Sequence, residues 1–421
     1  MNTDIKVKQD DIIYVLNEND KTAAVFDAQN ADKNVFIPYS IKNGSQEYKV
    51  TGLLKRSFAC SYKMETIEFD ANSEIEIIED QAFYYSKIKS ISIPRHVKTI
   101  GSQAFNACKS LKHVTISKDS ELEFIGYAAF QYSGIESIFI PQHVKIISQY
   151  TFDNCAELEQ FEISSDSELK TIDRYVFSNT KIRSLKIPSK VSELKESWNF
   201  ATPKITKLTI DPKNQIYKNY EEDNNIVIGK SNVESDEYDI LVFVNRNAKK
   251  VIIPPFIKKI ASFAFAGTKI NNIYIPPIVS QIDEGAFLGC LCLKRVEIPA
   301  DSKLQEIKEC TFYNSSIERL SIPSSITKIC LQAFQFCTIK YLDIPQDSKL
   351  QIIDNRSFDC SYLRSIVFRP NRENDYKYTF CECKKLQIIE IDDMTEGNFI
   401  EKLVMSNDSH AFIMIPTRFR G

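Results

Sequence analysis

The chain has 421 residues, of which 43% are hydrophobic, and this is ample material for a continuous buried core. Its formal net charge is −3, which argues against a nucleic-acid-binding protein and against one that adheres to anionic membranes. No stretch approaches the roughly 20 apolar residues that are needed to span a bilayer.

Residues 1–50 contain two strand-like apolar runs, Ile12–Leu16 and Ala23–Phe26, but they lack the motif that recurs further along the chain. The end of a repeat array needs a different sequence, because its last repeat would otherwise leave an apolar side open to water. Residues 1–50 are therefore predicted to form an N-terminal cap.

From residue 51 onward a phenylalanine recurs every 22 to 25 residues, in two runs separated by 65 residues. Self-similarity at a fixed period of about 20–50 residues is the signature of a solenoid, whose coils bury their apolar sides by stacking. This pattern predicts a first arm over residues 51–210 and a second arm over residues 251–387, with a buried, stacked phenylalanine spine. The recurring residues are Phe58, Phe83, Phe105, Phe130, Phe152, Phe177, Phe200, Phe265, Phe287, Phe312, Phe334, Phe358 and Phe380.

Each coil repeats the same parts in the same order. A turn such as Gln103–Cys108 holds the phenylalanine, and an alternating run such as Leu111–Ile116 follows with the period of two that is typical of a strand. Alternate coils carry three extra residues that include an Asp-Ser turn, at 119–120, 166–167, 301–302 and 347–348. The sequence therefore predicts a unit of two coils, about 47 residues long, whose strands form one parallel sheet.

The motif is typified by Ile91–Pro94, Val97, Ile100, Ala104–Phe105, Cys108 and Leu111, and over about residues 50–390 it resembles the BspA-like leucine-rich repeats. Two further stretches, within residues 22–38 and 226–243, resemble the branch of this family that is expanded in parasitic protists. Together with the period, the resemblance implies an α/β repeat fold: a leucine-rich-repeat solenoid of about 13 coils with a parallel concave sheet and two caps. Family members are described as surface antigens and adhesins, which implies protein binding and does not imply an enzyme.

The repeat is interrupted over residues 211–250. Charged turns at Glu221–Asn225 and Ser231–Asp239 flank two strand-like runs there, which predicts a β-hairpin island that protrudes from the solenoid. The alternative is a bend that divides the two arms. After the second arm, residues 388–421 are predicted to form a C-terminal cap.

Cysteine recurs at one position of the repeat, where a small buried side chain would form the rung of a ladder. Cys108, Cys155, Cys290, Cys337 and Cys383 each stand three residues after a phenylalanine. The chain has 11 cysteines, an odd number, and rungs need no pairing, so free thiols in a reducing compartment are expected. Because Met1–Lys8 also lacks a signal-peptide pattern, we expect a cytoplasmic protein, with a non-classical route to the cell surface as the alternative.

Motifs that could carry chemistry have simpler interpretations. Gly229–Ser231 matches the end of a phosphate-binding loop, but Asn225 stands where the upstream glycine is required. Cys290–Cys292 and Cys381–Cys383 each contain a ladder cysteine and lack the second pair of ligands that a zinc site needs. His96 and His143 occupy one repeat position and are expected to be equivalent surface residues. The sequence thus predicts neither a catalytic site nor a cofactor or metal.

The side chains that point out of the strands offer a surface for binding on the expected concave face. Aromatic residues and arginines are the types that most often anchor protein interfaces. The alternative is that these charged residues serve only solubility. The residues predicted to bind a partner are Phe139, Tyr274, Arg295, Arg319, Tyr341 and Arg364, with Lys294 and Lys340 making the second arm locally basic.

Three functions remain after these steps. The first is a non-enzymatic scaffold that binds a protein partner through the solenoid surface. The second is a structural component of an intracellular assembly, such as a cytoskeletal one, held through its convex face, caps or island. The third is a cell-surface adhesin or antigen that binds host or matrix proteins.

Overall fold

The computed structural model describes residues 5–345, 347–354, 356–359, 362–368, 386, 388–391 and 412–414, with the backbone only for residues 365–368, 388–391 and 412–414. The chain divides into two compact units, Met1–Gln215 and Ile216–Gly421. Within the described residues every regular element is a β-strand.

The strands of the first unit are β1 (Ile5–Gln9), β2 (Ile12–Asn17), β3 (Thr22–Asp27), β4 (Asn34–Ile37), β5 (Ser40–Asn43), β6 (Gln46–Leu53), β7 (Thr66–Phe69), β8 (Ile77–Ile78), β9 (Ser90–Ser92), β10 (Thr99–Ile100), β11 (His113–Thr115), β12 (Phe124–Ile125), β13 (Ser137–Ile140), β14 (Ile146–Ile147), β15 (Gln160–Ile163), β16 (Thr171–Ile172), β17 (Ser184–Ile187), β18 (Glu193–Leu194) and β19 (Lys207–Ile210).

The strands of the second unit are β20 (Tyr217–Asn219), β21 (Ile226–Gly229), β22 (Ile240–Val244), β23 (Lys259–Ile260), β24 (Asn272–Tyr274), β25 (Gln281–Ile282), β26 (Arg295–Glu297), β27 (Glu306–Ile307), β28 (Arg319–Ser321), β29 (Lys328–Ile329), β30 (Tyr341–Asp343), β31 (Ile352–Ile353), β32 (Ser365–Phe368), β33 (Ile388–Ile391) and β34 (Phe412–Met414).

In the first unit each coil contributes one strand to each of two columns. The longer strands form a parallel sheet in the order β4-β7-β9-β11-β13-β15, and β17 and β19 form a further parallel pair. We call this the long-strand sheet of the first unit. The two-residue strands β8, β10, β12, β14, β16 and β18 form the other column, which is also parallel. The third side of each coil is the turn that holds the phenylalanine.

The second unit repeats this plan. Its long-strand sheet runs β24-β26-β28-β30, and β32, β33 and β34 make a further parallel group. Its two-residue strands pair as β23-β25 and β27-β29-β31. The predicted parallel pairing is therefore confirmed, although the strands belong to several sheets rather than one.

The expected α/β class is wrong, because the described coils contain no helix. The turn around Phe105 shows the reason, since Gln103 and Ala107 on either side of it have positive φ angles of 55° and 59°. A right-handed helix cannot run through two left-handed residues that stand four positions apart. The amide of Phe105 donates instead to the carbonyl of Ala129 in the next coil, at 2.7 Å. The protein is therefore a β-solenoid.

The phenylalanine spine is present in both units. The rings are fully buried, and successive centroids in the first unit lie 4.9–6.4 Å apart, with the planes within 15° of parallel. In the second unit the same spacing is 4.7–5.4 Å. The stacked residues are Phe58, Phe83, Phe105, Phe130, Phe152 and Phe177, then Phe265, Phe287, Phe312, Phe334 and Phe358.

Phe200 does not belong to this spine, contrary to the prediction from its spacing. In the other turns the two left-handed residues lie two positions before and after the buried ring; here they are Ser197 and Ala201, so Asn199 takes the inward position. Trp198 is buried beside it, and Phe200 is only half-buried, with its ring edge-on to Tyr175 at 5.5 Å. Phe380 lies outside the described residues.

Residues 5–50 of the predicted cap form an antiparallel meander that leads into the stack. β1, β2 and β3 pair antiparallel, and β3 then pairs in parallel with β6, which continues into β8. Alternate residues of β2, namely Ile12, Tyr14 and Leu16, are buried. Of the expected C-terminal cap, 388–421, only the parallel strands β33 and β34 lie within the described residues.

The segment over residues 211–250 contains the predicted antiparallel hairpin, β21 with β22, but it does not protrude. β22 pairs in parallel with β23, and Ile226, Ile228 and Leu241 join the hydrophobic core of the second unit. The buried guanidinium of Arg246 follows, and it donates to the carbonyl oxygens of Ala264 at 2.9 Å and Phe263 at 3.1 Å. Residues 216–250 therefore cover one end of the core of the second unit, as the meander of residues 5–50 does in the first.

Candidate binding surface on the second unit

The long-strand sheet of the second unit places four of the six predicted site residues on adjacent strands. Its register aligns Arg295 with Arg319 and Arg319 with Tyr341, and neighbouring strands in a sheet lie about 4.8 Å apart. Tyr274 lies on β24 opposite Glu297, one strand away and diagonal to Arg295. We call Tyr274, Arg295, Arg319 and Tyr341 the Tyr–Arg row.

Alternation along the strands turns this row toward solvent. The central residues Ile273, Val296 and Leu320 are buried, so the side chains before and after them point outward. Tyr274 is 48% exposed and Tyr341 is 45% exposed. The row is therefore accessible and stands on a backbone that is fixed by the stacked core.

One contact organises the row. The guanidinium of Arg319 lies over the ring of Tyr341, 5.0 Å from its centroid, which is within cation–π range. Arg295 is paired with Glu297 on its own strand, with Nη2 and Oε2 3.3 Å apart. The row thus presents one arginine already stacked on an aromatic ring and one already paired with a carboxylate.

The surface is less basic than the sequence suggested. On and beside these strands the basic side chains are Lys294, Arg295, Arg319 and Lys340, while Glu297, Glu318 and Asp343 are acidic. Lys340 is paired with Glu318 at 3.5 Å. Parallel register brings acids and bases from successive coils together, and the outcome is a mixed surface.

The other two predicted residues lie apart from the row. Phe139 belongs to the first unit, on β13, where it is half-exposed and aligned with Glu162. Arg364 is exposed and directly precedes β32, which lies beside β30. Arg364 therefore extends the surface of the second unit, whereas Phe139 does not.

Sequence reasoning missed an exposed aromatic residue at the start of the first unit. Phe36 is 54% exposed on β4, the strand that opens the long-strand sheet. The signal was present, because Val35 and Ile37 alternate with it before Pro38 as in the later coils. A second group, Tyr127, Tyr150, Tyr175 and Phe200, forms a chain of ring contacts on the turn side, with centroids 5.1–5.8 Å apart.

The ladder cysteines have a bonding role. Each thiol donates to the carbonyl oxygen of the phenylalanine 25 residues earlier, at 2.9–3.1 Å: Cys108 to Phe83, Cys155 to Phe130, Cys290 to Phe265 and Cys337 to Phe312. Burial raises the pKa of Cys108 and Cys155 to about 12, and that of Cys290 and Cys337 to about 11. The thiols therefore stay protonated and keep the proton that this bond needs. Cys360, Cys381 and Cys383 lie outside the described residues.

The remaining motifs have structural partners. Gly229 ends strand β21, and Ser231 bonds to Asp239 through both its amide, at 2.9 Å, and its hydroxyl, at 2.8 Å. His96 and His143 face Glu121 at 3.0 Å and Glu168 at 3.8 Å, each one coil further on. The described residues contain no group of three side chains that could hold a metal ion. No helix in that part of the chain is long and apolar enough to cross a membrane.

Comparison with known proteins agrees with this architecture. The family model of the BspA type leucine rich repeat region matches the chain in six copies, over residues 76–206, 213–340 and 292–410. No curated protein matches the chain.

Among solved structures, the pneumococcal vaccine antigen PcpA is similar with 19% sequence identity and a TM-score of 0.68, over 99% of this chain and 100% of that one. A leucine rich cell surface protein from Faecalibacterium prausnitzii is similar with 18% identity and a TM-score of 0.62, over 99% and 96% of the two chains. At such identities the likeness shows the fold alone, and the more specific likeness to a protist branch stays a prediction. With family matches across most of its length and a stack of phenylalanine-centred coils, the chain belongs to the BspA type leucine-rich repeat family.

Proposed function

We propose that the protein is a non-enzymatic scaffold that binds a protein partner, and that the Tyr–Arg row of the second unit is its contact surface. The observation that carries this proposal is the alignment of Arg295, Arg319 and Tyr341 on three adjacent strands, with Arg319 stacked on Tyr341. The leucine-rich repeat fold suits a binding role, and no cofactor or catalytic group enters the proposal.

The physical argument rests on rigidity and residue type. Tyrosine and arginine anchor interfaces because they bring large contact area and several hydrogen-bond donors. Side chains that are already ordered lose less conformational entropy on binding. The stacked pair Arg319–Tyr341 stands on a packed sheet, so a partner meets a surface that is largely preorganised.

The mixed charge of the surface constrains the partner. Because Arg295 and Lys340 already have acidic neighbours at 3.3 and 3.5 Å, a purely acidic partner would have to compete with Glu297 and Glu318. A partner with both acidic and polar groups around an apolar centre fits better. We therefore expect association that weakens with salt only modestly.

The test compares variants in a pull-down of the full chain followed by affinity measurement on the partner obtained. Arg319→Ala and Tyr341→Ala should each weaken binding by about 2 kcal/mol or more if they are anchors. Tyr238→Ala, in the segment that precedes β22, is the matched aromatic control and should leave affinity unchanged. If the two row variants bind the partner as tightly as the wild type and only Tyr238→Ala binds more weakly, the result would instead favour a structural assembly held through the caps or through residues 216–250.

Location is a separate part of the proposal. We propose a cytoplasmic protein, supported by the free thiols of the described cysteines, among them exposed Cys292, because free thiols suit a reducing compartment. Fractionation with protease shaving of intact cells tests this. Protection from the protease supports the proposal, and removal by it would favour the adhesin or surface-antigen alternative.

A further inference from the structure

The Tyr–Arg row contains a pair of like charges that packing of the core does not require. Arg295 and Arg319 are aligned in the register of β26 and β28, so their side chains leave the sheet about 4.8 Å apart. Like charges that face each other across neighbouring strands repel and destabilise a sheet. A local arrangement that costs stability without a packing benefit is expected where a protein binds a ligand.

The rest of the described strands avoid such pairs. Wherever two charged residues are aligned there, their signs are opposite, as for Glu306 with Lys328 and for Lys42 with Glu47. The equivalent outward column of the first unit, from β4 to β15, contains neither lysine nor arginine. Its residues are Asn34, Thr66, Ser90, His113, Ser137 and Gln160. The aligned arginines are therefore a property of this surface and not of the repeat.

Arg319 keeps its hydrogen-bond donors available. Its guanidinium lies over the ring of Tyr341, 5.0 Å from the centroid, and a contact with the ring face does not consume the N–H groups. Among the described residues it has neither an ion pair nor a hydrogen bond to an acceptor. The acid next to it in the sequence, Glu318, is paired with Lys340 at 3.5 Å instead. Arg319 thus offers a set of donors that is held in place and has no bound acceptor.

Arg295 has an acidic partner that a stronger anion can replace. The contact with Glu297 is a single one, from Nη2 to Oε2 at 3.3 Å, and the two side chains are 73% and 54% exposed. Ion pairs as exposed as this one contribute little, because water screens them and both side chains lose freedom. Arg295 can therefore turn from Glu297 toward an anion that Arg319 already holds.

Two adjacent guanidinium groups match a phosphate monoester. Such a group carries a charge of about −1.5 to −2 at pH 7 and has three acceptor oxygens, so it can accept hydrogen bonds from both arginines. A long polyanion fits less well, because Glu297, Glu318 and Asp343 lie on and beside the same strands and the net charge of the chain is −3. One phosphoryl group on a protein segment suits both the paired arginines and their acidic surroundings.

We propose that Arg295 and Arg319 bind the phosphoryl group of a phosphorylated segment of the partner protein. Arg319 meets this group while stacked on Tyr341, and Arg295 leaves Glu297 to join it. The inference rests on the function proposed above, because it names the chemistry of the ligand that the Tyr–Arg row takes. Association therefore depends on phosphorylation of the partner.

The test uses the full chain and a fluorescein-labelled five-residue peptide with a central phosphoserine between alanines, in a fluorescence anisotropy titration. This probe isolates the phosphoryl group, because its other side chains are only methyl groups. The wild type should bind it saturably, and about tenfold more tightly than the same peptide with serine. Arg319→Gln should weaken binding about tenfold and Arg295→Gln about threefold or more, with unchanged melting temperatures.

The first unit supplies matched controls. Arg183 and Glu159 form a pair at 3.2 Å whose side chains are 72% and 55% exposed, almost the same as those of Arg295 and Glu297. Arg183→Gln should keep the affinity for the phosphopeptide within about twofold. Glu297→Gln should strengthen binding about two- to fivefold, because it releases Arg295, whereas Glu159→Gln should leave it within about twofold.

Three results would overturn the inference. They are equal binding of the phosphorylated and unphosphorylated peptides, equal losses in Arg319→Gln and Arg183→Gln, and tighter binding of a labelled oligothymidylate of the same length than of the phosphopeptide. The last result would show a surface that prefers polyanions such as nucleic acid.

A phosphatase separates this inference from the proposed function. Treatment of the partner obtained in the pull-down should lower its affinity for the wild-type protein to that measured for Arg319→Gln. If the treatment has no effect while Arg319→Ala still weakens binding, the row binds an unmodified partner and only the present inference fails. If neither the treatment nor Arg319→Ala changes the affinity, the proposed function fails as well.

Discussion

Replacing Phe334 by alanine tests the stacked spine directly. Its ring is fully buried and lies 5.4 Å from Phe312 and 5.2 Å from Phe358. Truncation of a buried phenylalanine to alanine costs about 3–5 kcal/mol, through lost apolar burial and the cavity left behind. Phe336 stands two residues later in the same turn and is 45% exposed, so Phe336→Ala should cost below about 1 kcal/mol.

A third variant separates ring stacking from simple burial. Phe334→Leu keeps most of the apolar volume but removes two stacked ring contacts, each worth about 0.5–1.5 kcal/mol. We therefore expect it to cost about 1–3 kcal/mol and to fall between the two alanine variants. If Phe334→Leu had the same free energy of opening as the wild type, apolar volume alone would stabilise the spine and ring stacking would add nothing.

The assay should be local, because a chain of two compact units need not unfold in one step. Cys337 is fully buried, and its thiol is bonded to the carbonyl of Phe312 at 2.9 Å, so alkylation reports opening of that part of the stack. The urea dependence of its labelling, read by peptide mass spectrometry, yields the free energy of opening. Cys155 in the first unit serves as the reference. Equal shifts for Phe334→Ala and Phe336→Ala would refute the spine.

Three further predictions follow from single side chains. Burial raises the pKa of Cys108 and Cys155 to about 12, so at pH 8 iodoacetamide should label exposed Cys292 far faster than either, and all three should react in denaturant. Arg246→Met removes two hydrogen bonds from a charged donor and should destabilise the second unit by about 1.5–3 kcal/mol, although the amides of Val244 and Ala266 still donate to the same carbonyls; exposed Lys249→Met should not, and equal urea midpoints would contradict this. Burial raises the pKa of the Asp283 carboxyl, but hydrogen bonds from Lys259 and Lys308, at 2.8 Å, outweigh it and hold the pKa below its ordinary value. The Asp283 carboxylate therefore adds to the free energy of unfolding at pH values above its pKa in the unfolded chain, and this contribution is lost as pH falls through its lower pKa in the folded protein. Asp283→Asn should accordingly reduce the loss of stability that acid causes below about pH 4.

The spacing of the repeat predicted most of the fold, because residues one period apart in the sequence contact one another in the stack. The phenylalanines, the ladder cysteines and the alternating strands all lie at one position of each coil, and a residue at that position meets its counterpart one coil away. Spacing could not detect the shift at Asn199, since Phe200 follows Phe177 by 23 residues and fits the period. Only the positions of the left-handed residues, Ser197 and Ala201, reveal that the inward direction has moved by one residue.

The sequence did not predict the absence of helix in the described coils, for a related reason. Left-handed positions are usually marked by glycine, but here they are occupied by residues as different as Gln103, Ala107 and Tyr132. Each such conformation costs free energy, and it persists because the surrounding structure holds it. The amides of these three residues donate to carbonyls of the next coil at 2.8–3.0 Å. A contact between coils cannot be seen in the sequence of one turn.

The candidate surface follows from the different constraints on the inward and the outward positions of each coil. Inward and turn positions must match their counterparts above and below, so they repeat as phenylalanine, alanine, isoleucine and cysteine. Outward strand positions have no such restriction, and successive coils place Asn272, Arg295, Arg319 and Tyr341 side by side. Sequence alternation could predict that these residues point outward, but the pairing of Arg319 with Tyr341 depends on register.

This freedom of the outward positions explains how a core of repeated residues can present a surface whose chemistry does not repeat. The Tyr–Arg row mixes basic, acidic and aromatic groups that already contact one another, as in the Arg319–Tyr341 stack at 5.0 Å. A change in this row removes few contacts from the core, so it should alter binding with little effect on stability. Loss of binding in variants that keep their melting temperature is therefore the expected behaviour of this architecture, and variants that lose binding only when they also unfold would contradict it.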